Sequence, residues 1–486
     1  MSLHAQLSPD AAERLRAQRR NSTISSIFIS FLVIVLIGLG LAFIFLPSLF
    51  LESPTIVTYN AGAPDEDKLD QKEVNNQIQR KPSAPSSSMA KVIASTTPSP
   101  TAIPVPEINV PDPSTDFGSG DDFGDGWGNG GDGGGGGFGN IPANMRKRCS
   151  KQDRLQRLAD NGGTPACEDA VMNSLRFLQK TQNDDGSWEG NHKVAMTGLA
   201  LLAYLGHCET PLSEEFGETV TAAITYLVNV SVKQKGKLGD DLKSNHWCYE
   251  HGIATYALAE SYTFCNQLGI NIPNLQESVQ NSVQWIINNQ HKSGGWEYLF
   301  SEDSPRGGDL SIAAWQMQAL KAGKATGLEF KSYRGAISGG LTFVGNCHSS
   351  DGSYAYTMNG GGKITLTGAG ALCVQQHKGA SDAGSRSAVK YLDKKSEFNF
   401  KAGPCNLYEH YYSSQAMINA GGNPWNRYNE LFRDDLLAAQ NKDGSWPNPG
   451  GKGHAGHTGS ATYRTALCTL MLEVYYRLLP GTSKTK

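Results

Sequence analysis

The sequence predicts an all-α protein: a double-layered barrel of about six helix pairs, carried behind a single transmembrane helix and a long linker. Three observations predict it. A short motif recurs at a near-constant period, apolar segments of helical length fall between its copies, and one uninterrupted apolar run lies near the N-terminus.

Residues 1–26 are polar and carry Arg14, Arg16, Arg19 and Arg20. The run from Ile27 to Leu46, "IFISFLVIVLIGLGLAFIFL", is uncharged over about the 20 residues that a bilayer-spanning helix needs. It is longer than the apolar core of a signal peptide and no small-x-small cleavage site follows it. We therefore read residues 27–47 as an uncleaved anchor, with cleavage as the alternative. The basic cluster precedes the span and the acidic "PDEDKLD", Pro64 to Asp70, follows it. The positive-inside rule then puts the N-terminus in the cytoplasm and everything after Pro47 outside, in the periplasm if the cell has two membranes.

Residues 48–143 lack apolar periodicity. A Ser/Pro stretch gives way to "DFGSGDDFGDGWGNGGDGGGGGFGN", and neither composition can bury a core. This segment reads as a disordered linker with a root-mean-square span of roughly 50 Å. An alternative gives Phe117, Phe123, Trp127 and Phe138 a role as weak docking points for an envelope protein partner. A net charge of −3 carries no electrostatic footprint of nucleic acid.

The folded region, residues 144–480, is organised by the repeat. Gln182, Gly186 and Trp188 in "QNDDGSWEG" keep the spacing of Gln290, Gly294 and Trp296 in "QHKSGGWEY" and of Gln440, Gly444 and Trp446 in "QNKDGSWPN". With 8 Trp and 55 Gly in 486 residues, roughly 0.05 such triplets are expected by chance. The weaker copy "HSSDGSY" ends at Tyr354, and a period near 50 residues gives about six units. Two units have lost the signature, around Gly239 and Phe400.

Each unit reads as two helices. The first is amphipathic, as in "CEDAVMNSLRFLQKTQ", and suits an outer layer with one face in water. The second is apolar on all sides: Val194 to Gly206, His251 to Phe264, Ser311 to Gly323, Leu366 to Gln376, Tyr412 to Gly422 and Thr465 to Leu479. A helix apolar all round is buried all round, so these form an inner layer. The repeated motif falls where an outer helix ends. Gly takes the left-handed conformation that stops the helix, Gln bonds freed carbonyls and Trp covers the turn.

Nine cysteines without a CxxC pair argue against a zinc ribbon. Cys265, Cys373 and Cys468 lie in apolar helical runs, where a buried small thiol is the usual role. Cys149 and Cys167 flank a short polar segment, and an oxidising compartment would bridge them.

Gln-x-x-x-Gly-x-Trp at helix-pair junctions resembles the repeat of the squalene cyclases and protein prenyltransferase β subunits, the terpenoid cyclase–protein prenyltransferase superfamily. The likeness covers about Cys167 to Pro480. Through "HWCYEHGIATYALAESY", "GDLSIAAWQMQALKAG" and "LEVYYRLLP" it looks most like a membrane-anchored bacterial branch of uncharacterised activity. The resemblance implies an α/α toroid of six inner and six outer helices. It does not by itself fix an activity.

Terpene cyclases of this kind protonate an alkene with an Asp-x-Asp-Asp element, and this chain has none. At the comparable junction stand Arg306, Gly307, Gly308 and Asp309, so only Asp309 matches a catalytic carboxylate. Prenyltransferases bind zinc through an Asp and a Cys two residues on; here that second position is Ser311, a poor zinc ligand. No metal and no cofactor are implied, and Asp309 reads first as the N-cap of its helix, with a catalytic acid as the alternative. The thioester sequence Gly-Cys-Gly-Glu-Gln of some related toroids is also absent.

Polar residues gather at the starts of the inner helices: His192, His246, Glu250, His251, His410, Tyr411, His454 and His457. They are expected either as caps or as one rim of a central cavity. Met196, Met317, Tyr256, Tyr262 and Tyr412 read as core, although a ring of six helices leaves an axial space to be filled. Three functions compete: an external binding module taking an isoprenoid or other lipid ligand or a partner protein, an enzyme acting on a polyprenyl substrate, and a structural module whose cavity is plugged by its own side chains.

Overall fold

The computed structural model describes residues 148–403, 405–450 and 459–477, all in the unit running from Pro104 to Lys486. The expected anchor and linker, with His454 and His457, lie outside the described residues. Among the described residues no helix is long and apolar enough to cross a membrane.

Thirteen α-helices are present among the described residues, with no named strand. A leading helix α1 (Lys151–Asp160) precedes six pairs. The outer members are α2 (Pro165–Thr181), α4 (Gly217–Lys233), α6 (Leu275–Asn288), α8 (Tyr333–Asn346), α10 (Ala383–Lys395) and α12 (Gly422–Ala438). The inner members are α3 (Lys193–Gly206), α5 (Trp247–Gln267), α7 (Leu310–Ala325), α9 (Ile364–Lys378), α11 (Leu407–Ala420) and α13 (Ala461–Leu472). Each inner helix packs on the next, and α13 packs back on α3 and α2, so the ring closes. Inner helices are buried over almost their whole length, whereas outer helices bury one stripe, such as Val171, Leu175 and Leu178 on α2.

The repeated motif is the device that joins neighbouring outer helices. Gly186, Gly294 and Gly444 have φ of +86°, +91° and +91°, as a left-handed helix stop requires. Each motif Gln donates twice, to the carbonyl of its own Gly and to a carbonyl of the next outer helix. Gln182 reaches Thr219 at 3.0 Å, Gln290 reaches Ala336 at 2.8 Å, and Gln440 reaches Ala170 at 2.8 Å. The last of these joins the end of α12 to α2, so the third copy seals the ring. Each Trp is fully buried and its Nε1 donates to a carbonyl ten residues back: Leu178, Ile286 or Leu436.

Three expectations need correction. Cys149 is bridged not to Cys167 but to Cys208, with the Cα atoms 4.9 Å apart. The intervening segment is the helix α1, which carries the chain away from Cys149; Cys167 instead lies buried in the first turn of α2, where it completes a cap with Thr164. Helix α11 starts at Leu407 and ends at Ala420, because Gly421 and Gly422, with φ of +67° and +60°, turn the chain directly into α12. Helix α13 stops at Leu472, short of the expected end, and residues 473–476 form turns.

Candidate functional site

The N-terminal ends of the inner helices gather at one mouth of the ring, and Asp309 stands there as the N-cap of α7. Its Oδ1 accepts from the Ser311 amide at 2.9 Å and from Ser311 Oγ at 2.5 Å, and its Oδ2 accepts from Arg306 Nη2 at 2.5 Å. It is only 2% exposed. Burial raises its pKa, and the hydrogen bonds from Ser311 and the charge of Arg306 do not fully offset that. Ser311 Oγ also lies 2.8 Å from the Tyr249 hydroxyl, which lies 3.1 Å from the Tyr298 hydroxyl. Arg306 covers the Tyr298 ring, 5.3 Å from its centroid. Above these groups opens a cleft of about 620 Å³, lined by polar residues that include Asn245, Glu297, Tyr298, Ser304 and Arg306.

A second group stands at the same mouth. His192, in the left-handed conformation, has Nδ1 2.7 Å from Glu250 Oε1, and its ring meets His246 edge-on at 5.2 Å. Glu250 Oε2 accepts from the Asp240 amide at 2.7 Å, while the Asp240 carboxylate caps α3 through the amides of Lys193 and Val194 at 2.5 and 3.1 Å. Burial raises the Glu250 pKa against the pull of His192 and the Asp240 amide. Of the residues expected at a rim, the structure therefore brings His192, His246 and Glu250 together.

His251 and His410 are placed elsewhere. His251 Nδ1 accepts from the Leu238 amide at 3.1 Å and Nε2 donates to the Ser282 carbonyl at 3.1 Å, so the ring ties α5 to the outer layer. His410 Nδ1 bonds the Tyr428 hydroxyl of α12 at 2.7 Å. Burial pushes both pKa values down to about 3, so both imidazoles are neutral pins between layers. Tyr411 points the other way, into the axis of the ring.

The axis is spanned by side chains of α7 and α11, which are not neighbours in the ring. Tyr408 donates its hydroxyl to the Ser311 carbonyl at 3.1 Å. One turn deeper Trp315 stacks on Tyr411, with centroids 5.2 Å apart and planes 18° apart. Below that, Gln318 Nε2 reaches the Tyr411 hydroxyl at 3.4 Å. Trp315, Tyr411 and Tyr412 are 3%, 1% and 0% exposed, so the middle of the ring is filled by its own aromatic rings. Beyond them, at the C-terminal ends of the inner helices, lies a buried set that the sequence reading did not single out: Arg148, Glu260, Glu473 and Arg477. Among the described residues no group of His, Cys, Asp and Glu has the arrangement of a metal site.

No family model and no curated relative matches the chain. Solved structures similar to it include the GH76A alpha-1,6-mannanase from Salegentibacter sp. HEL1_6, at 10% identity and TM-score 0.46, over 64% of this chain and 99% of that one. A variant of the type II terpene cyclase MstE from Scytonema, in complex with merosterolic acid A, is 12% identical with TM-score 0.41, over 68% of this chain and 100% of that one. A protein from Actinoplanes is 13% identical with TM-score 0.40, over 64% and 98%. At these scores the likenesses decide nothing about the site or its chemistry.

Proposed function

We propose that the chain is a membrane-tethered, externally facing binding module, in which the helical ring is a rigid scaffold and the polar cleft at its mouth takes a hydrophilic ligand or a polar segment of a partner protein. The observation that carries this reading is the filled axis. With Trp315 stacked on Tyr411 across the ring, these buried rings occupy the axial space that an isoprenoid or lipid chain would need. The cleft above offers carboxylate, guanidinium, amide and hydroxyl groups. Recognition there rests on hydrogen bonds and charge.

Mass spectrometry of organic extracts from the full chain, purified in mild detergent, tests the ligand class. The reading expects no isoprenoid in stoichiometric amount, and finding one overturns it. A photocrosslinking residue at position 298 is expected to give a discrete adduct in cells that Arg306→Ala weakens. The tether is tested by a C-terminal reporter, expected to be active only outside the cytoplasm.

One observation favours an enzyme as the second reading. Asp309, with its raised pKa, is linked through Ser311 and Tyr249 to Tyr298 at the cleft. That chain of hydroxyls is a route for a proton. Asp309→Asn removes the titratable group, and loss of cellular function in a folded Asp309→Asn protein would place the enzyme first.

A further inference from the structure

The end of the ring opposite the cleft is closed by a residue from outside the six pairs. Arg148 precedes α1, yet its side chain is 0% exposed. Its guanidinium pairs with Glu260 of α5 and lies 5.0 Å from the centroid of Phe264. Two more ionisable groups flank the pair. Arg477 Nη2 stands 3.7 Å from Glu260 Oε2, and Glu473 packs over Gly206 with neither carboxyl oxygen hydrogen-bonded among the described residues. Arg148 itself has Nε and Nη1 buried without a hydrogen-bond partner among the described residues. Burying a guanidinium with so few hydrogen bonds carries a desolvation cost, and if Arg148 leaves, Arg477 is the cation that stays beside Glu260.

What keeps it in place is a closed circuit of links. Cys149 is bonded to Cys208. The residue before Cys208, His207, has Nε2 3.2 Å from Glu168 Oε1. That same oxygen accepts from Arg154 Nε and Nη2 at 3.2 and 3.1 Å. Arg154 Nη1 then donates to the Arg148 carbonyl at 2.8 Å, which returns the circuit to its start. The disulfide is its one covalent cross-link, and the only one among the described residues.

We propose that Arg148 is a removable plug in a guanidinium-binding site formed by Glu260 and Phe264, and that the Cys149–Cys208 disulfide is its lock. A dithiol opens the lock by passing two electrons and two protons to the S–S bond. The bond breaks into the Cys149 and Cys208 thiols, and the donor becomes its own disulfide. The loop that held Arg148 then rests on non-covalent links alone. When the arginine leaves, Arg477 remains 3.7 Å from Glu260, and the place beside Glu260 and Phe264 is left for an incoming guanidinium.

The test uses the full chain in mild detergent. Arg148 is labelled with phenylglyoxal and followed by peptide mass spectrometry in the oxidised protein, after dithiothreitol, and in a Cys149→Ser/Cys208→Ser variant. The oxidised protein is expected to protect Arg148. The other two are expected to label it at least about tenfold faster with helicity unchanged, because the reactivity of a buried group follows the population of its open form. Free labelling in the oxidised protein, or continued protection in the folded double variant, overturns the lock. For the binding site, ethylguanidinium is expected to raise the melting temperature of oxidised Arg148→Gly and not of Arg148→Gly/Glu260→Gln; no rise in the former overturns it. Should Arg148→Gly fail to fold, the double-serine variant decides the same point: ethylguanidinium competing with Arg148 speeds hydrogen exchange over residues 148–158, and no change overturns the site.

Discussion

Gly444→Ala tests whether the third copy of the repeated motif seals the ring. Gly444 has φ +91°, where a side chain costs about 1–2 kcal/mol. A Cβ there also meets the backbone of α2, at the Asn173 carbonyl oxygen and 2.6 Å from its carbonyl carbon. Backbone cannot swing aside as a side chain can. The turn must back away from α2, at about 1–3 kcal/mol for overpacking. It takes with it the bond from Gln440 to the Ala170 carbonyl, worth about 0.5–1.5 kcal/mol. Together these give roughly 3–6 kcal/mol, or a melting temperature lower by about 6–12 °C at roughly 2 °C per kcal/mol for a domain of this size. Gly345→Ala supplies the control. Gly345 lies inside α8 with nothing near its would-be Cβ, so alanine there gains roughly 0.5–1 kcal/mol of helix stability. Far-ultraviolet circular dichroism melts of the two variants should therefore move in opposite directions. A Gly444→Ala protein that melts no lower than Gly345→Ala would refute the reading of the motif as a ring seal.

Trp446→Ala removes a fully buried ring together with its bond to Leu436 and should cost about 3–5 kcal/mol in chemical denaturation. Asp309→Asn keeps an oxygen for the Ser311 amide and loses only an ion pair to a half-exposed Arg306, so stability should change by less than about 1 kcal/mol. A larger loss would mean that the carboxylate charge itself holds the mouth together. His251 has its pKa lowered from 6.5 to about 3, so below about pH 6.5 the unfolded chain binds a proton that the folded chain refuses. Stability is lost on that account as pH falls, by up to about 1.4 kcal/mol per unit. The stability advantage of wild type over His251→Gln should accordingly shrink between about pH 7 and about pH 5, and an advantage constant with pH would show that His251 is not a buried neutral pin.

The ring was legible in the sequence because its devices are local. Gln, Gly and Trp lie within seven residues of one another in each copy, and an apolar run on all faces of a helix has only one place to go. Orientation was not legible for the same reason. A helix apolar on every side, such as α5 or α11, has no stripe to say which face looks at the axis. His251 and His410 were thus read at a rim when they point to the outer layer, and Tyr411 beside His410 turned out to face the axis. Asp309 was readable as a cap because a cap needs only the next two residues. Cys208 was not readable as the partner of Cys149, since that pairing depends on α1 and on how α3 ends. Nor does anything around Arg148 mark it, because its partner Glu260 is 112 residues away.

The two ends of the ring sort charge in a way that bears on which carboxylates carry function. The inner helices run parallel, so their N-termini, each worth roughly half a positive charge, converge at the cleft and their C-termini at the other end. Caps answer that field at the mouth: Asp240 on α3, Asp309 on α7, Asn406 on α11, and Ser460 with Glu189 on α13. A concentration of acids there follows from helix ends alone and says little for catalysis. Asp309 in particular has both oxygens occupied by the groups it caps or pairs with. At the opposite end the field favours cations, and Lys321 donates to the Gln376 carbonyl there at 3.0 Å. Glu260 and Glu473 run against this field. They are buried among helix C-termini, where a carboxylate is disfavoured twice, by desolvation and by the dipoles. Capping cannot account for them. Arginine can, and of the two arginines present Arg477 follows closely on α13 while the other, Arg148, is held in by a bond that a thiol can cut.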